Sequence, residues 1–309
     1  MLFKKLGKSF RRTSAWLGLI FCSLIIKVLP RCLLYSFADG VAGLGYYLAG
    51  RQRRIAKESL SIAFGKGKTP SEIKRIIKTS FRYMAEGGLE LMFLLERPSL
   101  IKEMAFLEGE ERLKACLERG KGVILVTAHF GNFPLMMARL SLEGYPVYGI
   151  MRRMRDERVE RIFFKKRKAL GINTIYSQPR KTCIDESLRV LREGKLLFIQ
   201  LDQNFGTKGV FVDFFGKKAA TATGPVVLAL RTKAAILPCF ILHNSNRTYR
   251  IIFEPEYKIR LAKTLDETIL LNIQALTGII ESYIRGYPEE WSWIHRRWKS
   301  RPKEENQLN

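Results

Sequence analysis

At 309 residues with 47% hydrophobic content, the chain can bury a substantial core as one large domain or two small ones, and it is too apolar to be disordered. It carries 54 Lys+Arg against 29 Asp+Glu, a formal net charge of +25, which draws polyanions such as nucleic acids, anionic membranes or acidic proteins and says nothing about fold. Five scattered cysteines without a C-x-x-C pair suit a reducing compartment, and with only three histidines they argue against a thiolate or His-rich metal cluster.

The first acidic residue is Asp39; before it stand seven Lys/Arg and the apolar run AWLGLIFCSLII (15–26). That run is too short for an uninterrupted membrane span, which needs about 20 residues, and Lys27, Pro30 and Arg31 block its extension. KVLPRCLLY offers no small-residue signal cleavage site. Residues 1–32 therefore read as a retained interfacial or partly inserted helix, with Lys4, Lys5, Lys8, Arg11 and Arg12 facing lipid phosphates. The alternative is a helix buried in the globular core.

Residues 33–64 read as two helices, the second basic at its start (Arg51, Arg53, Arg54). KTPSEIKRIIKTSFRYMAEGGLELMFLL opens with Thr69 as N-cap, Pro70 at N1 and Glu72 at N3, then continues as an amphipathic helix. The helical region thus extends over 33–105.

From residue 121 the rhythm changes. GVILVTA (122–128), PVYGIM (146–151), NTIYS (173–177), KLLFIQL (195–201), AAILPCFIL (234–242) and YRIIFEPEY (249–257) read as strands. Helices separate most of them, to about 143, at 156–170, 180–193 and 224–233, with another closing the series at 266–285. Strands alternating with helices of about 10 to 15 residues imply crossover connections. The expected fold is α/β, a largely parallel sheet flanked by helices over 106–302, behind the helical N-terminal region. Residues 33–302 make one domain, and 303–309 read as a disordered tail.

In an open α/β sheet, ligands bind beyond the carboxyl ends of the strands. His129, in VTAHFGNFPLMMARL, follows one strand; Asp202, in LLFIQLDQN, follows another; Arg152 and Arg153 follow a third. A lone histidine is more often structural than catalytic, but three chemically apt groups on one rim favour chemistry. Further on, Ala219, Ala220, Thr221, Thr223 and Gly224 precede Pro225 at a helix start, where backbone N–H groups could hold an anion or oxyanion. An ordinary capped helix gives the same run. Arg152 to Lys181 holds eleven Lys/Arg and three Asp/Glu, either a solvated helix face or a landing surface for phosphates or an acidic protein. EEWSWIHRRWK (289–299) holds three of the four tryptophans. Tryptophan beside arginine suits a lipid–water interface; aromatic packing of a final helix accounts for it equally.

Together TAHFGN, VDFFGKKAATATGP with the later ALRTKAAILP, and EEWSWIHRRWKSRP resemble, in order from about residue 40 to 302, the late (lauroyl/myristoyl) acyltransferases of lipid A biosynthesis, within the lysophospholipid acyltransferase superfamily. The resemblance implies a glycerolipid acyltransferase-like α/β fold that uses no metal or cofactor. It implies transfer of a fatty acyl chain from an acyl carrier protein thioester, or a coenzyme A thioester, to a hydroxyl of an anionic glycolipid such as a lipid A precursor. It also implies a membrane surface as partner, and basic flanks on both sides of the 15–26 run conflict with a single span, so the expected place is interfacial, on the cytoplasmic face of the inner membrane. The family's histidine falls on His129, its block-two arginine on Arg152 with Arg153 as the neighbouring choice, and its acidic third block on Asp202. His129, Asp202 and Arg152 are then the expected catalytic residues, with Asn132, Arg153, Thr223, Gly224, Arg296 and Arg297 binding substrate.

One position departs from the pattern. The family signature is H-x4-E or H-x4-D, and here the acid's place is Pro134. If Asn132 caps the helix, Pro134 lies in its first turn, where backbone N–H groups lack partners anyway, so the fold tolerates it. The orienting carboxylate is lost. Asp202 is the expected substitute, contacting the distal ring nitrogen of His129, and Glu143 is expected at the far end of the helix. Three rivals remain at this point: an acyltransferase for lysophospholipids or another glycolipid, a catalytically lapsed lipid-binding homologue, and a nucleic-acid-binding protein. The last has charge in its favour but no binding motif.

Overall fold

The computed structural model describes residues 2–302; the side chains of residues 2–12 and 15 and the tail at 303–309, read above as disordered, lie outside the described residues. The chain opens with α1 (Leu2–Val28), α2 (Arg31–Leu48), α3 (Gly50–Phe64), α4 (Pro70–Leu95) and α5 (Ser99–Met104). Pro30 separates the first two, because the residue before a proline is pushed out of the helical region. α4 starts as its sequence predicts: the Thr69 side chain accepts the Glu72 backbone N–H, while the Glu72 carboxylate accepts the Thr69 N–H.

The remainder alternates: β1 (Ala105–Glu108), α6 (Glu110–Leu117), β2 (Val123–Thr127), α7 (Phe133–Leu142), β3 (Val147–Met151), α8 (Glu157–Ala169), β4 (Asn173–Tyr176), α9 (Arg180–Arg192), β5 (Leu196–Gln200), β6 (Val210–Phe214), β7 (Lys217–Thr221), α10 (Gly224–Thr232), β8 (Ala235–His243), β9 (Tyr249–Phe253) and α11 (Leu265–Gly286). The main sheet has the order β1-β9-β8-β2-β5-β3-β4. β8, β2, β5, β3 and β4 run parallel, whereas β9 and β1 run the other way. The fold is therefore α/β with a mostly parallel central sheet. β9 reverses because the connection from β8 is too short for a crossover and permits only a hairpin.

β2 is VILVT, every residue buried, as expected for a central strand covered on both faces. Ile124 and Val126 join one apolar core with α9, α10 and α11; Val123 and Leu125 join the other with α6 and α7. α4 feeds both, through Ile73, Ile76 and Ile77 on one side and Leu89, Met92 and Phe93 on the other, so the helical region shares its core with the sheet. α1 contributes Ile26 to that core and leaves Leu17, Phe21, Leu24 and Val28 exposed. Among the described residues, no helix is long and apolar enough to cross a membrane.

The structure corrects the sequence reading in three places. β1 and the antiparallel hairpin β6–β7 were not expected as strands. The final aromatic segment is not a helix: a short turn at Pro288–Glu290 leads into irregular chain. Its tryptophans do not sit at a lipid–water interface either, because Trp291, Trp293 and Trp298 are buried against Phe64, Phe214 and Phe215.

Candidate active site

Thr127 at the end of β2 is registered beside Gln200 at the end of β5. His129 and Asp202 each follow two residues later, so parallel pairing delivers both to one point on the rim. The His129 backbone N–H donates to Asp202 Oδ2 at 3.0 Å, and the ring Nδ1 lies 2.9 Å from Oδ1. Two adjacent contacts on one carboxylate fix both the position and the rotation of the imidazole. With Nδ1–H committed to Asp202, the lone pair belongs to Nε2, the nitrogen free to act as a base.

Asp202 is buried, which by itself disfavours its charge, yet the charge of His129 and the N–H donors of the His129 ring, Trp291 and the His129 backbone together hold its carboxyl well below the usual range. The Trp291 indole N–H makes its contact with Oδ2 at 2.8 Å. Its segment pairs with the histidine loop along the backbone: Gly131 N–H donates to Glu290 O at 2.9 Å, and Ser292 N–H donates to His129 O at 3.1 Å. Gly131 sits at φ +54° with a backbone carbonyl where a Cβ would go, so this loop requires glycine.

Asn132 caps α7 through its side-chain oxygen, which accepts Leu135 N–H at 3.4 Å, and Pro134 lies in the first helical turn. Glu143 is at the far end of α7, paired with Lys102 and Arg139. Phe133 touches the His129 ring edge-on, with centroids 5.2 Å apart.

The other expected residues divide. Arg152 is exposed just beyond β3, two strands from β2 in the sheet order, which at a spacing of about 4.8 Å puts its backbone on the order of 10 Å from the histidine strand. It lines the rim without touching the imidazole. Arg153 lies over the Tyr176 ring at 4.5 Å, and Arg296 is exposed. Thr223 and Gly224 begin α10, just after the β7 residue Thr221.

Two expectations fail on burial. Asn132 is buried and its amide faces Gly87 O and Glu90, so it organises a helix start and does not face a substrate. Arg297 is fully buried: Nη1 donates to Ala220 O at 2.6 Å and Gln203 O at 3.2 Å, and Nη2 donates to Thr221 Oγ1 at 2.5 Å. Desolvation pulls its pKa down to about 10. It ties β7 to the Asp202 loop and cannot meet a lipid phosphate.

Three residues beside His129 carried no individual signal in the sequence. Besides Trp291, Gln203 places its amide nitrogen 2.9 Å from His129 Nε2, and His295 brings its ring to 5.0 Å from the His129 ring, centroid to centroid. Burial and the neighbouring His129 lower the His295 pKa, favouring its neutral form. Gln203 adjoins the motif aspartate, and the other two belong to the aromatic segment. Adjacency to a motif was the one available clue.

Among the described residues, no group of three or more His, Cys, Asp or Glu is placed to hold a metal ion. A buried carboxylate, an oriented imidazole and an open Nε2 form a general base for activating a hydroxyl or water.

Comparison with known proteins bears on which reaction this base serves. Residues 1–300 match the family model described as bacterial lipid A biosynthesis acyltransferase. A lipid A biosynthesis acyltransferase of Haemophilus influenzae is 26% identical, over 90% of this chain and 85% of its own length. The lipid A biosynthesis palmitoleoyltransferase of Escherichia coli is 25% identical, over 95% and 93%. A phosphatidylinositol mannoside acyltransferase of Mycolicibacterium smegmatis is 23% identical, over 87% and 88%. With the family pattern covering nearly its whole length, the chain belongs to the bacterial lipid A biosynthesis acyltransferases and is an acyltransferase.

Proposed function

We propose that the protein moves a fatty acyl chain from an acyl carrier protein thioester to a hydroxyl of a lipid A precursor or related glycolipid, at the cytoplasmic face of the inner membrane. The observation that carries this reading is the double contact between His129 and Asp202. Pro134 in place of the motif acid points to a lapsed enzyme as the alternative, and a carboxylate on Nδ1 supports a working base instead. Relatives named for lipid A and for phosphatidylinositol mannosides share a glycolipid as acceptor, which supports that class.

The chemistry follows from the site. His129 Nε2 takes the proton of the acceptor hydroxyl, whose oxygen attacks the thioester carbonyl. Asp202 stabilises the imidazolium that forms and keeps the ring in one tautomer. The thiolate then leaves and recovers the proton from His129. No covalent acyl-enzyme is needed, since the hydroxyl attacks directly.

Exposed Arg152, Arg153 and Arg296 are suited to phosphates of lipid or carrier, where the planar guanidinium gives bidentate contacts. The net charge of +25 would speed encounter with an acidic carrier, an effect that salt weakens. The exposed Leu17, Phe21, Leu24 and Val28 recur at helical spacing on α1 and are suited to entering a lipid surface without spanning it.

The test is incubation of purified protein with lauroyl-acyl carrier protein and a tetraacylated lipid A precursor bearing its inner-core sugars, with products weighed by mass spectrometry. One added acyl chain, absent with His129→Ala, is the expected result. No addition, with an acyl chain appearing instead on a phosphatidylinositol mannoside or a lysophospholipid, would move the acceptor to that class.

A further inference from the structure

Gln203 takes no part in the His129–Asp202 contact, and its side chain is exposed. Its backbone is nevertheless anchored, because the carbonyl accepts from the buried Arg297 guanidinium at 3.2 Å. The amide nitrogen lies 2.9 Å from His129 Nε2, 3.4 Å from His129 Nδ1 and 3.3 Å from His295 Nε2. Proximity to both nitrogens of one ring puts the amide against the face of the imidazole. The in-plane lone pair of Nε2 is left to an incoming hydroxyl.

A carboxamide nitrogen carries two hydrogens. His295 Nε2 is an acceptor for one of them when that imidazole is neutral. The second faces the space beside His129 Nε2, where the attacked carbonyl must lie. A hydroxyl held by the base sits about 2.8 Å from Nε2. The carbonyl oxygen is one carbon atom further on, within the shell around the Gln203 amide. Arg152, the alternative donor, starts two strands away.

We propose that Gln203 is a further catalytic residue of the acyl transfer: its side-chain amide donates one N–H to the thioester carbonyl oxygen as that oxygen becomes negative, while His295 holds the other N–H. This rests on the acyl-transfer reading above. In the first step the hydroxyl oxygen bonds to the carbonyl carbon, its proton passes to His129 Nε2, and the carbonyl π pair moves onto the oxygen facing Gln203. In the second the pair returns, the C–S bond breaks, and the thiolate takes the proton from His129. The products are an ester and a thiol, with His129 neutral again.

The test avoids dependence on the acceptor by using lauroyl-coenzyme A with water as the nucleophile and following thiol release by the full chain. Wild type is expected to exceed His129→Ala. Gln203→Ala and the isosteric Gln203→Glu are each expected to lower kcat by about 10²–10³-fold, the cost of one oxyanion donor, with donor KM little changed and an unaltered thermal midpoint. His295→Ala is expected to lower kcat less, and His295→Gln, which keeps an acceptor, to recover part of it without a change in KM. Gln203→Ala with wild-type kcat would overturn the proposal and leave the acyl-transfer reading standing. Recovery of rate by Gln203→Glu would also overturn it, since a carboxylate repels the oxyanion. Wild type no faster than His129→Ala would overturn the reading itself, and the proposal with it.

Discussion

Trp291 and Asp202 are 89 positions apart in sequence, and the indole N–H of the first donates to Oδ2 of the second, the same oxygen that accepts the backbone N–H of His129. One carboxylate thus gathers a strand end, a loop and the C-terminal aromatic segment.

Replacing Trp291 with Phe removes this donor while keeping an aromatic ring. A hydrogen bond to a charged group is worth about 1.5–3 kcal/mol, and that much stability should be lost, plus a packing cost. Because the folded-state pKa of Asp202 is depressed, its carboxylate contributes stability that is present above the unfolded value, near 3.9, and lost as pH falls through the folded value. Losing a donor raises the folded value towards the unfolded one. The acid-side decline, which starts near the unfolded value in both proteins, should therefore be smaller in Trp291→Phe and level off at a higher pH, as chemical denaturation across the acid range would measure.

Asp202→Asn should fold and lose roughly 10⁴-fold in kcat, the scale seen when a catalytic histidine loses its orienting charge. Pro134→Glu should gain nothing, because Nδ1 already has its carboxylate. Steady-state rates of the two variants, taken beside wild type, check both statements. A rise in kcat for Pro134→Glu would mean that Asp202 is an incomplete substitute.

The neighbouring arginines Arg296 and Arg297 should respond oppositely. Arg297→Lys cannot reproduce the fork to Ala220, Gln203 and Thr221, and should cost about 2–4 kcal/mol by urea denaturation. Arg296→Ala is an exposed change and should stay within about 0.5 kcal/mol. Only Arg296→Ala should alter KM for an anionic substrate while leaving the unfolding midpoint in place.

Replacing Leu17, Phe21 and Leu24 together with serine should weaken binding to vesicles containing anionic phospholipid at least tenfold. Full burial of each side chain is worth about 1.5–3 kcal/mol, and only part of that is recovered at an interface. Sedimentation with vesicles measures it, and thiol release from a soluble thioester should be unaffected.

The parallel strands were legible because β2, β5 and β8 are continuous apolar runs, and a histidine or aspartate just beyond such a run declares its place on the rim. The β6–β7 hairpin was not. Its two-residue turn is Phe215-Gly216, with φ of +52° and +70°, and phenylalanine is not the Asn or Asp that usually marks a turn with two positive φ values. β1 has four residues, with too little alternation to register. Trp291 and His295 were hidden for a different reason: irregular chain has no period from which to read a facing direction, so only tertiary packing shows where they point. The same packing decided between the arginines, since composition cannot distinguish exposed Arg296 from buried Arg297.

The pairing of residues 290–292 with the histidine loop also makes completion of the site wait for the C-terminal segment. As the chain leaves the ribosome, α1 and its apolar face emerge before the strands that carry His129 and Asp202, and Trp291, His295 and Arg297 emerge only after those. Until that segment emerges, Asp202 lacks its indole donor and the Gln203 backbone lacks its guanidinium. If α1 docks on a lipid surface as proposed, a nascent chain can do so before its base is fully assembled, and attachment then precedes competence.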